Sequence, residues 1–245
     1  MFERLPSSSP SWSVVVPVRD EAGNIAPLAD EIVAAMAAFG DFEVIFVDDG
    51  SRDTTAAEIE AVQNKFANFR IVRHRHSYGQ SQALITGVEN ARAPWVVTLD
   101  GDGQNDPADI AALISALDAQ QDRREQTLVI GRRNRRLDGQ WRSLASIVAR
   151  WARRIMLADV TADSGCGLKI ISRKMFLDLP RFDALHRFIP SLVRRERGTV
   201  VSVSVKHRPR AHGRSKYGIA KRGLIGLVDL FGVWWLMRRY SRPDR

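Results

Sequence analysis

The chain has 245 residues and a single cysteine, Cys166, so it is long enough for one large α/β domain or two small ones and carries no internal disulfide framework. Its 44% hydrophobic content is that of a chain with a sizeable core, which excludes a disordered or fibrous protein. The net charge of +9 hides an asymmetry: residues 1–122 carry 8 Lys and Arg against 19 Asp and Glu, a net of −11, whereas residues 123–245 carry 29 against 9, a net of +20. An acidic half suits cation chemistry, and a basic half suits polyanions such as nucleic acid, anionic lipid headgroups or phosphorylated substrates.

Residues 1–12 contain Pro6, Ser7, Ser8, Ser9 and Pro10 and no apolar run, so they read as a flexible start rather than a secretory signal. Residues 13–18 read as a first buried strand ended by Pro17. A loop follows, and Ile25, Leu28, Ile32, Met36 and Phe39 form one helical stripe over 25–39. A second strand over 42–47 runs into Asp48-Asp49-Gly50-Ser51-Arg52-Asp53 and a helix over about 54–66. A short strand at 71–72, a helix over 77–90 opened by Gly79 and a strand over 95–99 come next.

That last strand stops at Asp100-Gly101-Asp102-Gly103-Gln104. Alternation along a strand sends residues i and i+2 to one face, so Asp100 and Asp102 are expected to point the same way. Converging carboxylates beside glycines suit a hard cation with oxygen ligands and a phosphate, with the amide oxygen of Gln104 as a third ligand. An ordinary acidic turn is the bland alternative. A helix over 106–117 begins with Pro107 in its first turn. Strand–helix alternation at this spacing predicts right-handed βαβ units on a mostly parallel sheet, where ligands gather at the carboxyl ends of strands. Both acidic motifs lie at such ends.

The basic half opens with a strand over 128–131 and the cluster Arg132, Arg133, Arg135 and Arg136. Over 138–158, apolar residues at helical spacing interleave with Arg142, Arg150, Arg153 and Arg154, which reads equally as a membrane-interface helix or a core-facing helix with a basic outer face. A glycine-rich loop at 163–167 enters a strand over 169–171. Short helices over 174–179 and 191–197 and a strand over 200–205 follow. Residues 206–222 hold seven Lys and Arg and no acidic residue. Residues 224–237 are apolar except for Asp229, with Trp234-Trp235 before Arg238-Arg239, and are too short to span a bilayer. The chain is therefore expected to divide into a flexible start (1–12), an α/β domain (13–222) and a C-terminal helix (223–245) that meets a membrane surface or another subunit.

In order, these motifs resemble the family 2 glycosyltransferases, and within them the polyprenyl-phosphate (dolichol-phosphate-type) sugar transferases. The residues that carry the likeness are Val16-Pro17 with Glu21 and Asn24, Asp48 through Asp53, Gly79 with Ala83 and Gly87, and Asp100 through Gln104. They continue with Gly131-Arg132-Arg133, Gly165-Cys166-Gly167-Leu168-Lys169, His186-Arg187-Phe188 and Arg210-Ala211-His212-Gly213-Arg214-Ser215-Lys216-Tyr217.

The resemblance implies a GT-A α/β fold, a nucleotide-sugar donor, Mg²⁺ or Mn²⁺, and a polyprenyl phosphate acceptor. Many members also carry two C-terminal spanning helices; no stretch of this sequence is long and apolar enough to be one, so a peripheral place at the cytoplasmic face of a membrane is expected. The resemblance further implies that Pro17, Arg19, Glu21, Val47, Asp49, Asp100, Gly101, Asp102, Arg133, Arg210 and Lys216 hold the nucleotide sugar. Asp100 and Asp102 would be catalytic, with Asp102 and Gln104 on the metal. Arg132, Arg133, Lys169 and Ser215 would meet the acceptor phosphate. Arg19 stands where members of the family often carry an aromatic. The attacking lipid phosphate oxygen is already ionised, so no protein base is required, and residues 213–218 would close as a lid. Two other readings are a glycosyltransferase on a soluble acceptor and a basic non-enzymatic nucleic-acid- or membrane-binding module. No aromatic–basic signature of nucleic-acid recognition supports the latter for nucleic acid.

Overall fold

A computed structural model describes residues 9–133, 156–157, 161, 163–210 and 219–239, with the backbone alone over 219–225 and at 227. Seven strands form one sheet: β1 (Trp12–Val18), β2 (Phe42–Asp48), β3 (Phe69–Arg73), β4 (Trp95–Thr98), β5 (Thr127–Arg133), β6 (Lys169–Ser172) and β7 (Thr199–Val205). Their order is β3-β2-β1-β4-β6-β5-β7. All neighbours pair in parallel except that β6 runs antiparallel to both β4 and β5.

The helices are α1 (Ile25–Met36), α2 (Thr55–Lys65), α3 (Gln80–Asn90), α4 (Ile110–Asp118), α5 (Arg173–Asp178), α6 (Ile189–Arg195) and α7 (Ile219–Met237). They cover both faces of the sheet, and the pleat decides which residue meets which layer. Val14, Val16 and Val18 of β1 and Val44 and Phe46 of β2 face a core built with Ile32 and Met36 of α1, Ile59 of α2 and Leu113 and Leu117 of α4. Val15, Ile45 and Val47 face the opposite core with Leu84 and Val88 of α3, Phe176 of α5, Leu192 of α6 and Leu230 and Val233 of α7. Each such fully buried aliphatic side chain contributes about 1.5–3 kcal/mol.

The βαβ reading of the first half holds, and the mostly parallel sheet forms as expected. Pro17 does not end β1, which continues to Val18. Leu99 donates to the Val15 carbonyl and Asp49 to the Val18 carbonyl, so residues 15 and 17 face the β4 side and residue 18 faces β2. Pairing with β4 ends at Val15↔Thr98, so the missing N–H of Pro17 points where no partner strand is left. The amphipathic stretch expected over 138–158 lies outside the described residues apart from 156–157. At the other end, α7 begins at Ile219, five residues earlier than the apolar run alone marked.

Candidate active site

The carboxyl ends of β1, β2 and β4 converge on one edge of the sheet. Asp49 follows the last residue of β2 and is held on both oxygens. Its Oδ1 accepts from His74 Nδ1 at 2.8 Å and the Tyr78 N–H at 2.8 Å, and its Oδ2 accepts from Ser77 Oγ at 2.6 Å and the Gly79 N–H at 2.9 Å. Burial works to raise the Asp49 carboxyl, but the hydrogen bonds led by Ser77 outweigh it and hold the group below the ordinary carboxylate range. Gly79 takes φ +92° in this turn, which a side chain would strain, and its carbonyl accepts the first helical bond of α3 from Ala83. Arg19 Nη1 donates to the same Ser77 Oγ at 2.8 Å. The Glu21 N–H donates to Thr55 Oγ1 at 2.8 Å, and Glu21 Oε2 accepts from Asn24 Nδ2 at 2.9 Å. Pro17, Arg19, Glu21 and Asp49 therefore gather around one corner, while the Val47 side chain is buried in the core and only its backbone can serve a ligand there.

Asp100 and Asp102 lie in the turn beyond β4, which stops at Thr98. Strand alternation is thus not what aligns them, and the expectation built on it is corrected: the Asp100–Gly103 turn places them. Asp100 Oδ1 accepts from Gln80 Nε2 at 2.9 Å. Beneath it runs the loop at 163–168, so close that a Cβ on Gly167 would sit 2.3 Å from the Asp100 carboxyl. Burial, then the charge of Asp102, raises Asp100 to about 6 against the opposing pull of Lys169, Arg133 and Arg210. Asp102 Oδ1 accepts from the Gln104 N–H at 3.1 Å, and its Oδ2 accepts from Arg210 Nη2 at 2.8 Å. The same Arg210 nitrogen reaches Glu21 Oε1 at 3.3 Å.

Arg210 is delivered by a strap that docks beside the acidic turn. The Arg208 N–H donates to the Gln104 carbonyl at 3.0 Å, Gln104 Nε2 reaches back to the Arg208 carbonyl at 3.4 Å, and Asn105 bridges to His207. Arg208 Nη1 meets both oxygens of Glu31 at 2.9 and 2.8 Å, and its Nη2 meets Asp106 at 2.8 Å. No sequence pattern signalled these pairings, because Glu31 and Arg208 stand 177 residues apart.

The remaining basic candidates separate. Neighbours on a strand face opposite ways. Arg132 is exposed and bonds Ser204 Oγ at 3.1 Å, whereas Arg133 turns inward onto Asp163, with Nε at 2.6 Å and Nη2 at 2.8 Å. The two arginines expected to share the acceptor phosphate therefore do not line one surface. Lys169 is buried, with its Nζ on the Cys166 carbonyl, and burial pulls its ammonium below the ordinary lysine range despite Asp100. Gly101 packs against Val18 at the end of β1. Ser215 and Lys216 lie outside the described residues, as does the loop at 213–218 expected to act as a lid. Sequence reasoning missed Gln80 and Asp163 as site neighbours: Gln80 stands in no motif, Asp163 reads only as the start of the glycine-rich loop, and only the packing of α3 and of the 163–168 loop brings them in.

The acidic turn tests well against a divalent cation. Among the described residues no group of three or more His, Cys, Asp and Glu forms a complete protein cage. Two neighbouring carboxylates with a raised Asp100 and a guanidinium drawn onto Asp102 are nonetheless a donor set short of positive charge. Mg²⁺ and Mn²⁺ are commonly held by one or two carboxylates, with substrate phosphates and waters completing the shell.

A model of the family described as glycosyl transferase family 2 matches residues 13–179, the stretch holding every strand from β1 to β6 and both acidic motifs. The chain belongs to glycosyl transferase family 2. This family 2 chain is 35% identical over 250 residues to a dodecaprenyl-phosphate galacturonate synthase of Rhizobium johnstonii, a match covering 97% of the chain and 70% of the relative. It is 32% identical over 219 residues to an undecaprenyl-phosphate 4-deoxy-4-formamido-L-arabinose transferase of Edwardsiella ictaluri, covering 88% of the chain and 65% of that relative. The chain thus spans about two thirds of the length of these relatives. Its fold is that of glucosyl-3-phosphoglycerate synthase from Mycobacterium tuberculosis, solved with Mn²⁺, uridine-diphosphate-glucose and phosphoglyceric acid. That match has a TM-score of 0.67 at 18% identity and covers 91% of this chain and 80% of that one.

Proposed function

We propose that this glycosyltransferase moves a sugar from a nucleotide-sugar donor to a polyprenyl phosphate, with inversion at the anomeric carbon. The observation that carries the reading is the Asp100–Asp102 turn at the carboxyl end of β4, faced by Arg210 and backed by Lys169 and Arg133. Relatives whose names specify dodecaprenyl and undecaprenyl phosphate support the acceptor.

In the transfer, an ionised phosphate oxygen of the lipid bonds to the anomeric carbon as the bond to the donor diphosphate breaks, and the electron pair leaves on the diphosphate. No side chain need remove a proton from that nucleophile. Asp100 and Asp102, with the amide oxygen of Gln104, would hold Mg²⁺ or Mn²⁺, which supplies charge neutralisation for the diphosphate. Solved neighbours of the same fold carry these ions. Arg210 sits where it can pass from Asp102 and Glu21 to a phosphate, and its planar fork suits bidentate oxygen contact. The corner of Pro17, Arg19, Glu21 and Asp49 would take the nucleoside.

Contact with the membrane would come from α7. No helix among the described residues is long and apolar enough to cross a bilayer. Yet Val228, Phe231 and Trp235 stand 68%, 59% and 56% exposed at helical spacing, beside Trp234 and Trp235 capped by Arg238 and Arg239. Tryptophan and arginine on one helix suit the headgroup level of an anionic surface.

Radiolabelled nucleotide sugars offered with undecaprenyl phosphate in detergent test the reading. Label passing into the organic phase with Mg²⁺ or Mn²⁺, and not with EDTA, is the expected result. Donor hydrolysis without a lipid product would move the acceptor to a soluble molecule.

A further inference from the structure

The motif His186-Arg187-Phe188 is left without a task by the site as described. It sits in a single 3-10 turn, Leu185–Arg187, entered through Ala184 at φ +64°. Phe188 anchors the turn in the core. His186 is tied twice to one atom: its backbone N–H donates to Ser81 Oγ at 3.3 Å, and its ring Nδ1 lies 2.7 Å from the same oxygen. Ser81 is the second residue of α3, and Gln80 before it holds Asp100. Ser81 is thus the chain neighbour of the residue that contacts the acidic turn.

The two bonds together fix the orientation of the ring. Ser81 Oγ receives the backbone N–H of His186 on one lone pair, and its hydroxyl hydrogen is available to Nδ1 at 2.7 Å. When Ser81 donates to Nδ1, that nitrogen carries no proton and the imidazole proton stands on Nε2. Among the described residues, no group meets Nε2. Ser81 thus holds the ring by Nδ1 and leaves Nε2 as its open end.

The charges around the ring say what that end suits. Burial, then Arg187 and Lys169, both cationic, holds the imidazole far below its ordinary range, at about 3. It therefore stays neutral across physiological pH and cannot shuttle protons. A neutral N–H flanked by two cations complements an anionic oxygen. Lys169 also acts on Asp100, which places this field at the site itself.

We infer that Ser81 donates its hydroxyl hydrogen to Nδ1 and that His186, so oriented, donates its Nε2–H to a substrate phosphate oxygen and positions it for transfer. The inference rests on the transferase reading for its substrate. The phosphate belongs either to the donor diphosphate or to the prenyl monophosphate, and the test separates the two.

Histidine-labelled ¹⁵N spectra, with His186→Gln assigning the signal, are expected to show only the Nε2–H tautomer between pH 5 and 8 in the wild-type chain and a mixture in Ser81→Ala. Addition of inorganic pyrophosphate or of a short prenyl monophosphate in detergent is expected to shift the Nε2 signal, and whichever probe does so names the source. In the transfer assay, His186→Ala is expected to raise the KM of that substrate about tenfold or more and leave the other within twofold, with His186→Gln recovering most of the loss because its amide also donates. An Nδ1–H tautomer, an Nε2 signal indifferent to both probes, or unchanged KM values in His186→Ala would each overturn the inference. The spectra need no turnover, so a failure of the lipid-acceptor reading would show in the transfer assay while the tautomer and probe shifts stand.

Discussion

Arg210 and Asp102 meet at 2.8 Å, and the same guanidinium nitrogen also reaches Glu21 at 3.3 Å. A cation of the protein thus occupies the carboxylate that a divalent ion would claim. The two must compete for Asp102 when no nucleotide is present, whereas with donor bound Arg210 gains phosphate oxygens. Arg210→Ala is therefore expected to bind Mn²⁺ alone more tightly than the wild-type chain in calorimetry, yet to raise donor KM about tenfold or more in steady-state kinetics. The opposite signs distinguish competition from general damage to the site.

Removal of the acidic pair separates chemistry from folding. Asp102→Asn keeps the shape of the side chain and its bond from the Gln104 N–H but gives up the charge. Turnover is expected to fall at least hundredfold, on the order of 3 kcal/mol in the barrier, with the melting temperature within a few degrees of wild type. Retained metal-dependent turnover in Asp100→Ala/Asp102→Ala would remove the site assignment.

Asp100 makes a pH prediction with a definite sign. Burial and Asp102 raise it from 3.8 unfolded to about 6 folded. Its favourable contribution is full below pH 3.8 and is lost as pH rises through about 6, because above that the carboxyl is charged in both states and meets desolvation and the Asp102 charge only in the folded one. Asp100→Asn is accordingly expected to raise the melting temperature by a few degrees at pH 8 and to leave it nearly unchanged at pH 4. In the cation-free chain, the Asp100 carboxyl ¹³C signal is expected to titrate near 6, and lower in Asp102→Asn, where the like charge is gone.

Gly167 is held to hydrogen by its neighbour. A methyl group there would sit 2.3 Å from the Asp100 carboxyl. Gly167→Ala is expected to lose stability by about 1–3 kcal/mol and to lose most activity, because either the loop or Asp100 must move. Chemical denaturation and transfer assays on one preparation measure both.

The outer stripe of α7 predicts surface binding. Phe231→Ser/Trp235→Ser removes exposed apolar area while leaving the buried Leu230 and Val233 in place. Sedimentation with vesicles containing anionic lipid is expected to show weakened binding and an unchanged melting temperature. Unchanged vesicle binding would reassign the stripe to contact between copies of the chain.

Local patterning in the sequence carried the βαβ alternation, the two acidic motifs at strand ends and the apolar run within α7. These are readable because a strand's pleat and a helix's turn repeat over a few residues, and because Asp-Gly turns and buried β-branched runs declare themselves within one element. The family was legible too, since its motifs stand in a fixed order along the chain. Tertiary structure alone decided which charges meet. Arg132 and Arg133 are sequence neighbours that the pleat sends apart, while Arg210 and Asp102, 108 residues distant, are joined by the strap at 206–210. It also decided that Lys169 is buried beneath Asp100 rather than laid open to a phosphate, and that His186 belongs to Ser81. Long-range electrostatics depend on distances that chain order does not encode, and the packing of the 163–168 loop, α3 and the strap sets those distances.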